Sequence, residues 1–461
     1  MNPRVFREYD IRGDAERDFP DDFVTDLGRA IGTALADDGA RTITLGRDCR
    51  LSSPRIHAAL RAGILSTGLD IIDVGILHSP GLYFSVFHLN VDGGVMVTAS
   101  HNPSEDNGFK IVQGRSTIHG AAIQRLRTII EGGKFRVAER PGTVRDHQIL
   151  ADYVATIVDN VKLGGRRFKV VVDGGNGTGG LSILPVLKQL GVELEALYCD
   201  ADGRFPNHHP DPTVPENLAD LQARVLASGA ELGIALDGDA DRIGAVDGKG
   251  RIIWGDQLLM LFAREILARR PGATFVSEVK CSQAMYDEIE RMGGRAIMWK
   301  VGHSLIKVKM KEEQAALAGE MSGHMFFADR WFGFDDAVYA GIRLVELLTQ
   351  SPQTLAELYD TLPVLHNTPE IRMHCPDDIK FEVVRRAVAE FRASHPVIDI
   401  DGARVTFPGG WGLVRASNTG PVLVLRFEAD TPARLHDIQT LVETRLAVLI
   451  DDVRKAATAH V

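Results

Sequence analysis

The run Asp237-Gly238-Asp239-Ala240-Asp241-Arg242 places three carboxylates at alternate positions. In an extended segment all three share one face. Held that closely, they repel one another unless a positive charge sits among them. Three hard oxygen donors, with room for further oxygens, form a ligand set that suits Mg²⁺. The run lacks the later glycine and glutamate of a Ca²⁺-sensing loop. A second candidate is Ser100, within Val97-Thr98-Ala99-Ser100-His101-Asn102-Pro103. The apolar residues 93–97 ahead of it read as a buried strand, and Asn102-Pro103 as a turn. Ser100 therefore stands at a strand end, where active-site residues of open α/β sheets gather. Beside His101 and ahead of Lys110, its hydroxyl suits a phosphate carrier, an acyl nucleophile or an ordinary turn serine. Its own neighbourhood does not choose among them.

Three further stretches add donors and acceptors. Lys280, His303 and the run 302–307 supply positive or switchable charge. Gly319-Glu320-Met321-Ser322-Gly323-His324 combines carboxylate, hydroxyl and imidazole between glycines, a kit for gripping adjacent sugar hydroxyls. Arg415-Ala416-Ser417-Asn418-Thr419-Gly420-Pro421 offers a guanidinium, hydroxyls, an amide and backbone N–H groups, enough to wrap a phosphate. Two other stretches imitate sites. Gly175 to Gly180 satisfies G-x-G-x-x-G, with Glu195 downstream, the formal dinucleotide fingerprint of a NAD-dependent oxidoreductase. Nothing elsewhere provides for hydride transfer, so a tight strand–helix turn is the better reading. Asn207-His208-His209-Pro210-Asp211 suggests a metal site, but adjacent histidines diverge along an extended chain, and a loop packed between domains fits better.

The elements that must position these residues alternate. Helices are expected over 21–37, 54–66 and 121–131, with strands over 42–45 and 71–74 between them. The alternation restarts at 168–173 and runs through strands at 232–236 and 243–246. A third round begins near Arg251, with helices over 256–268 and 282–291 and strands over 274–277 and 295–299. Such alternation predicts largely parallel sheets. After Thr368 short β-rich runs surround helices at 379–392 and 432–449, which predicts a smaller α+β domain. A chain of 461 residues exceeds one core and implies about three or four domains. The net charge of −10 opposes nucleic-acid binding, leaving an anionic small molecule held in a local basic pocket. The four cysteines (Cys49, Cys199, Cys281 and Cys375) form no C-x-x-C pair and read as reduced thiols. No apolar leader or membrane span is evident, so a cytoplasmic protein is expected.

In order, the Ser-His-Asn-Pro, Asp-Gly-Asp-Ala-Asp-Arg, Gly-Glu-Met-Ser-Gly-His and Arg-Ala-Ser-Asn-Thr motifs resemble those of the α-D-phosphohexomutase family, within it the bacterial phosphomannomutase/phosphoglucomutase branch. The resemblance extends to 9–13, 46–48, 205–212 and 299–307, and so covers nearly the whole chain. It implies three similar mixed-sheet α/β domains and a smaller C-terminal α+β domain around a deep central cleft. Their expected spans are 1–148 with a phosphoserine loop, 149–251 with a metal loop, 252–363 with a sugar loop, and 364–461 with a phosphate loop. The implied reaction interconverts hexose 1-phosphate and hexose 6-phosphate, of mannose and glucose, through phospho-Ser100 and a 1,6-bisphosphosugar. Phosphoglucosamine is the alternative substrate, ranked lower because that branch differs where Met321 stands. Ser100, His101, Lys110, Arg12, Arg242 and His303 would be catalytic, with Lys110 and His303 as candidate acid/base groups. Asp237, Asp239 and Asp241 would hold Mg²⁺, with Ser100 contributing a phosphoryl oxygen. Tyr9, Lys280, Gly302, Glu320, Ser322, His324, Arg415, Ser417, Asn418 and Thr419 would bind the sugar phosphate. Glucose 1,6-bisphosphate would serve as activator and intermediate, and the enzyme would act as a monomer, with a dimer as the alternative. Two departures from the family pattern are Ala240, where glycine is common, and Gly420.

Overall fold

Val170, Val171 and Val172 are all without solvent exposure, as befits a strand, Lys169–Asp173, covered on both faces. The same holds for the site-bearing strands Gly93–Val97 and Leu232–Leu236, every residue of which is buried. The computed structural model describes residues 1–417 and 420–458. Four sheets follow one another along the chain: seven strands, then five, four and six. Helices flank each. Asp21–Asp37 forms as its periodicity predicts, and the last helix, Pro432–Thr458, runs longer than expected.

The sheets are mixed, as the family resemblance implies, and not largely parallel, as the strand–helix alternation alone predicts. Parallel pairs form one side, out to the edge, of each of the first three sheets. Each of these sheets, however, continues into an antiparallel partner on the strand that carries the site. Gly93–Val97 pairs antiparallel with Asp106–Gln113, Leu232–Leu236 with Ile243–Asp247, and Leu317–Gly319 with Met325–Phe327. In the fourth sheet Gly410–Ala416 pairs antiparallel with Val422–Ala429. The serine, three-aspartate and Glu-Met-Ser-Gly-His motifs, and Arg415 to Ser417 of the fourth, therefore lie at equivalent hairpins, one per domain. A strand turning back on itself exposes its loop backbone at one sheet end, where several such loops can converge.

One hydrophobic cluster spans the first three domains, joining Leu82 and Phe84, Ile183 and Leu187, and Phe262 and Tyr339, while the first domain also keeps a core of its own around Leu27, Ile43 and Val97. The C-terminal domain keeps its own core around Val405, Leu425 and Leu446. It joins the third domain through a small cluster of Val279, Trp411 and Leu413. Among the described residues no helix is long and apolar enough to cross a membrane.

Candidate active site

The serine hairpin meets the aspartate hairpin directly. Ser100 is buried, in the left-handed region at φ +52°, and its Oγ donates to Asp237 Oδ2 at 2.8 Å. His101 Nδ1 lies 3.0 Å from the same hydroxyl. The close approach requires Gly238, where a Cβ would stand 2.4 Å from the Ser100 carbonyl. Ligand oxygens of Asp237, Asp239 and Asp241, all buried, lie within 4.8 Å of one another. Lys110 Nζ enters this group, donating to Asp239 Oδ2 at 2.6 Å and to Asp241 Oδ2, while Ser79 Oγ donates to Asp239 Oδ2. Burial and the charges of Asp241 and Asp239 push the Asp237 carboxyl well above its ordinary range. Although burial opposes it, Asp239 and Asp241 hold the Lys110 ammonium well above its usual value. Asp239 Oδ1 is buried without a hydrogen-bond partner. An unmatched buried carboxylate oxygen among three aspartates is what a hard divalent cation would satisfy, so these residues fit a metal.

A second group is continuous with the first. His324 Nδ1 lies 2.7 Å from Glu320 Oε2 and its Nε2 3.2 Å from Asp241 Oδ1. Burial alone would lower this imidazole, but Asp241 and Glu320 carry it up to about 9. Glu320 is likewise favoured by burial in its neutral form, yet His324 and the Gly302 N–H, which donates to Oε1 at 2.8 Å, bring it down to about 2. Arg242 Nε stands 3.3 Å from His324 Nε2, a like-charge approach offset by Asp241. His303 sits across from His324, ring centroids 5.8 Å apart, with its Nδ1 3.3 Å from Asp335 Oδ2. Burial and then Lys307 push His303 down. Lys307 Nζ donates to Asp335 Oδ1 at 2.9 Å and lies over the Tyr83 ring.

The remaining expected residues link the domains. Tyr9 OH donates to the Val301 carbonyl at 2.9 Å and its ring packs edge-on to His303. Gly302 has φ +131°, and a Cβ there would stand 2.6 Å from the Tyr9 ring. Arg12 donates to Asn102 Oδ1 at 2.6 Å and to Asp10; with Arg242 it adds to the burial that holds His101 well below its usual value. Lys280 is buried, with Nζ 3.2 Å from Glu370 Oε2. Ser322 Oγ lies 3.3 Å from His324 Nδ1. Asp401 Oδ2 accepts from Val301 N at 3.0 Å and from Arg415 Nε at 3.2 Å, tying the sugar-loop side to the phosphate hairpin. Ser417 is buried, its N–H donating to Val422 O at 3.0 Å. Asn418 and Thr419 lie outside the described residues. A chain of contacts thus runs from Ser100 to Arg415 through all four domains.

The glycine run at 175–180 backs the metal loop: a Cβ on Gly177 would stand 2.5 Å from Gly238 O, and one on Gly179 2.9 Å from Ala240 Cβ. In the His-His-Pro-Asp loop His208 Nε2 lies 3.0 Å from Asp173 Oδ2 and Pro210 beside Gly238, both within the second domain, while His209 meets the His101 backbone of the first. Asp335, Ser79, Glu370, Asp401 and Arg50 also reach the site, and the sequence alone does not mark them. Asp335 follows Phe334 in an apolar stretch with no local sign of its partner His303, and the others are single polar residues of common types.

Comparison with known proteins agrees with this geometry. Family models for phosphoglucomutase/phosphomannomutase match in sequence order: α/β/α domain I over residues 3–137, domain II over 151–250, domain III over 254–365, and the C-terminal domain over 370–444. A phosphomannomutase/phosphoglucomutase of Pseudomonas putida is 45% identical over 444 residues, covering 96% of this chain and 95% of its own. A phosphoglucomutase of Neisseria gonorrhoeae is 46% identical over 438 residues, covering 94% and 95%. The crystal structure of a family protein from Burkholderia thailandensis superposes with a TM-score of 0.91 at 41% identity, covering 97% of this chain and 98% of that one. With four hairpins converging as described and the four family domains matched in order, the chain belongs to the phosphoglucomutase/phosphomannomutase family, a family of phosphohexomutases.

Proposed function

We propose that this enzyme interconverts the 1-phosphates and 6-phosphates of glucose and mannose by way of a phosphoryl group carried on Ser100. The observation that carries this reading is the 2.8 Å bond from Ser100 Oγ into the buried three-aspartate group. Phosphoryl transfer needs positioning and charge neutralisation more than covalent help from the protein. A phosphoserine carries about −1.5 to −2 charge at neutral pH, and the substrate brings a like amount. Asp237, Asp239 and Asp241, with a phosphoryl oxygen on Ser100, are the residues that would hold Mg²⁺, whose charge when bound offsets that of the group in transfer.

Lys110, held protonated, faces the same phosphoryl group. The bond from phosphorus to Ser100 Oγ breaks as a bond to the sugar O1 or O6 forms, the sugar hydroxyl gives up its proton, and the serine oxygen regains one. His303, pushed down by burial and Lys307, is neutral near pH 7 and suited to accept a proton. His324, at about 9, is charged and suited to donate. Groups whose environments separate their pKa values in this way divide acid and base work. The resulting 1,6-bisphosphosugar must turn end over end before the return transfer. That requires a grip for the phosphate that is not reacting, which we assign to Arg415, Ser417, Asn418 and Thr419. Tyr9, Arg12, His101 and Arg242 would line the transfer site, while Lys280, Gly302, Glu320, Ser322 and His324 would hold the sugar.

A grip on O3 and O4 does not reach C2, where glucose and mannose differ, which supports turnover of both. Exogenous glucose 1,6-bisphosphate would prime or replenish phospho-Ser100. Action as a monomer belongs to the same reading, and the four unpaired cysteines favour a reducing, cytoplasmic setting.

The test is intact-mass analysis and a coupled mutase assay with glucose 1,6-bisphosphate and Mg²⁺. Wild type is expected to carry one phosphoryl group and Ser100→Ala none, with kcat lower by at least about 10³-fold. Mannose 1-phosphate and glucose 1-phosphate are expected to turn over at comparable rates at matched concentrations. Retained activity in the alanine variant, or free phosphate released in step with turnover, would defeat the reading.

A further inference from the structure

Arg50 has no solvent exposure at all, yet it is 50 residues from the loop it touches. An arginine side chain has five N–H donors in a rigid planar fork, and each finds an acceptor here. Nε donates to Asp48 Oδ2 at 3.2 Å. One terminal nitrogen donates to the Ser100 carbonyl at 2.8 Å and the Asn102 carbonyl at 2.7 Å. The other donates to the Pro103 carbonyl and, at 3.0 Å, to the Asp106 carbonyl. Four carbonyls of the serine hairpin are thereby aimed at one cation. Such dipoles converge only around a positive charge, since without it their negative ends repel and lie buried without donors.

The cation is itself fixed from behind. Asp48 also accepts from the Arg50 backbone N–H at 3.0 Å and from Ser53 Oγ at 2.5 Å. Phe205, from the second domain, covers the guanidinium at 5.1 Å from its ring centroid. Close approach of the second domain depends on Gly203, where a Cβ would stand 2.5 Å from Arg50 Cα. The carbonyl that Arg50 holds on Ser100 is the same one against which Gly238 of the metal loop packs. It belongs to a residue at φ +52°, a conformation costly for serine unless its surroundings impose it.

We infer that Arg50 is a positioning residue for phosphoryl transfer, locking the Ser100 carbonyl so that the strained serine presents Oγ to the aspartates. This rests on the reading of Ser100 as the phosphoryl carrier. Arg50 makes no contact with the sugar loop or the phosphate hairpin in the bonds it forms, so its loss acts on transfer rather than on substrate affinity.

The test compares R50K and R50M with wild type and Ser100→Ala, each checked by circular dichroism for native structure at the assay temperature. Readouts are kcat, KM for glucose 1-phosphate, and the rate at which glucose 1,6-bisphosphate phosphorylates Ser100 of enzyme first dephosphorylated, followed by intact mass. A misplacement of about 1 Å at a reacting group costs roughly 10²-fold, so R50M is expected to lose at least about that factor in kcat and in phosphorylation rate. KM is expected to change by less than about threefold, since uniform binding is untouched. R50K, with the charge but only three donors, is expected to fall between. Should R50M not fold, R50K is judged by the same split. A folded variant with near-normal kcat, or a KM that rises as far as kcat falls, overturns the proposal. If Ser100→Ala keeps turning over, it is the phosphoserine reading that fails; if that variant is inactive while R50M matches wild type, only the role of Arg50 does.

Discussion

Four histidines in or near the site differ in charge because different groups face them. His78 meets only burial and is pushed down to about 3. His101 is held low by burial and two arginines, His303 by burial and Lys307. His324 alone lies between carboxylates on both nitrogens and rises to about 9. A folded value of about 9 against 6.5 unfolded means that the protonated ring stabilises the fold fully below about pH 6.5. That contribution is lost as pH rises through about 9. The thermal midpoint of wild type is therefore expected to fall between these pH values, and His324→Asn to show a flatter profile. In the mutase assay His324→Asn should lose roughly 10²–10⁴-fold in kcat and with it the basic limb of the pH–rate profile. An unchanged basic limb in that variant would remove His324 from the acid role.

At the scale of elements, the aspartate hairpin tolerates a residue its geometry does not favour. Ala240 has φ +54° and no exposure; its N–H donates to the Asp237 carbonyl at 3.1 Å and its carbonyl accepts from Ala337 N at 3.1 Å. Both bonds fix the left-handed turn, and the methyl packs toward Gly179. Glycine would relieve about 1–2 kcal/mol of left-handed strain. It would forfeit about 0.8 kcal/mol of buried methyl and add about 0.5–1 kcal/mol of chain entropy. These nearly cancel. Ala240→Gly is expected to move the thermal midpoint by no more than about 3 °C and to leave kcat within about threefold. A large loss in either would mean that the methyl sets the carboxylate positions.

The whole molecule divides three to one. One apolar cluster spans and ties the first three domains, whereas the fourth attaches through a small apolar cluster and buried arginines. Arg404 is almost fully buried, lies 3.8 Å over Trp411, and donates to the Val279 and Cys281 carbonyls at 2.7 and 2.9 Å. Arg426 donates to the carbonyl of Lys280 between them. The turn carrying a proposed sugar ligand is therefore held by the domain that carries the phosphate hairpin. Arg404→Met would strip two buried carbonyls of donors, at roughly 1.5–3 kcal/mol for bonds from a charged group. It is expected to raise KM for glucose 1-phosphate by about tenfold or more, with kcat less affected, and to separate a C-terminal transition in calorimetry. One unchanged transition with an unchanged KM would show that the docking contributes little.

Local chemistry made much of this legible. Leu232–Leu236 forms as expected, because burial on both faces selects an apolar run, whereas Arg295–Trp299 forms at a sheet edge with none of its residues fully buried. The four motifs were visible because their residues lie close together in sequence. Residues 79–88 form a helix that their neighbours hide: Pro80 and Gly81 look like turn residues, but proline suits a first helical turn, and His78 caps it by accepting from Gly81 N at 2.9 Å. The alternation of strands and helices by itself points to parallel sheets, and only the family resemblance implies mixed ones, because strand direction is decided by which hairpins close. Arg50 at Ser100, Lys110 among aspartates 129 and 131 residues away and Asp335 beside His303 belong to the tertiary structure alone. The sequence by itself determined which groups were available and which short segments would hold them. Only the folded chain decided which charges face each other, because burial and pairing depend on neighbours in space, and those set both the strain at Ser100 and the protonation of His324.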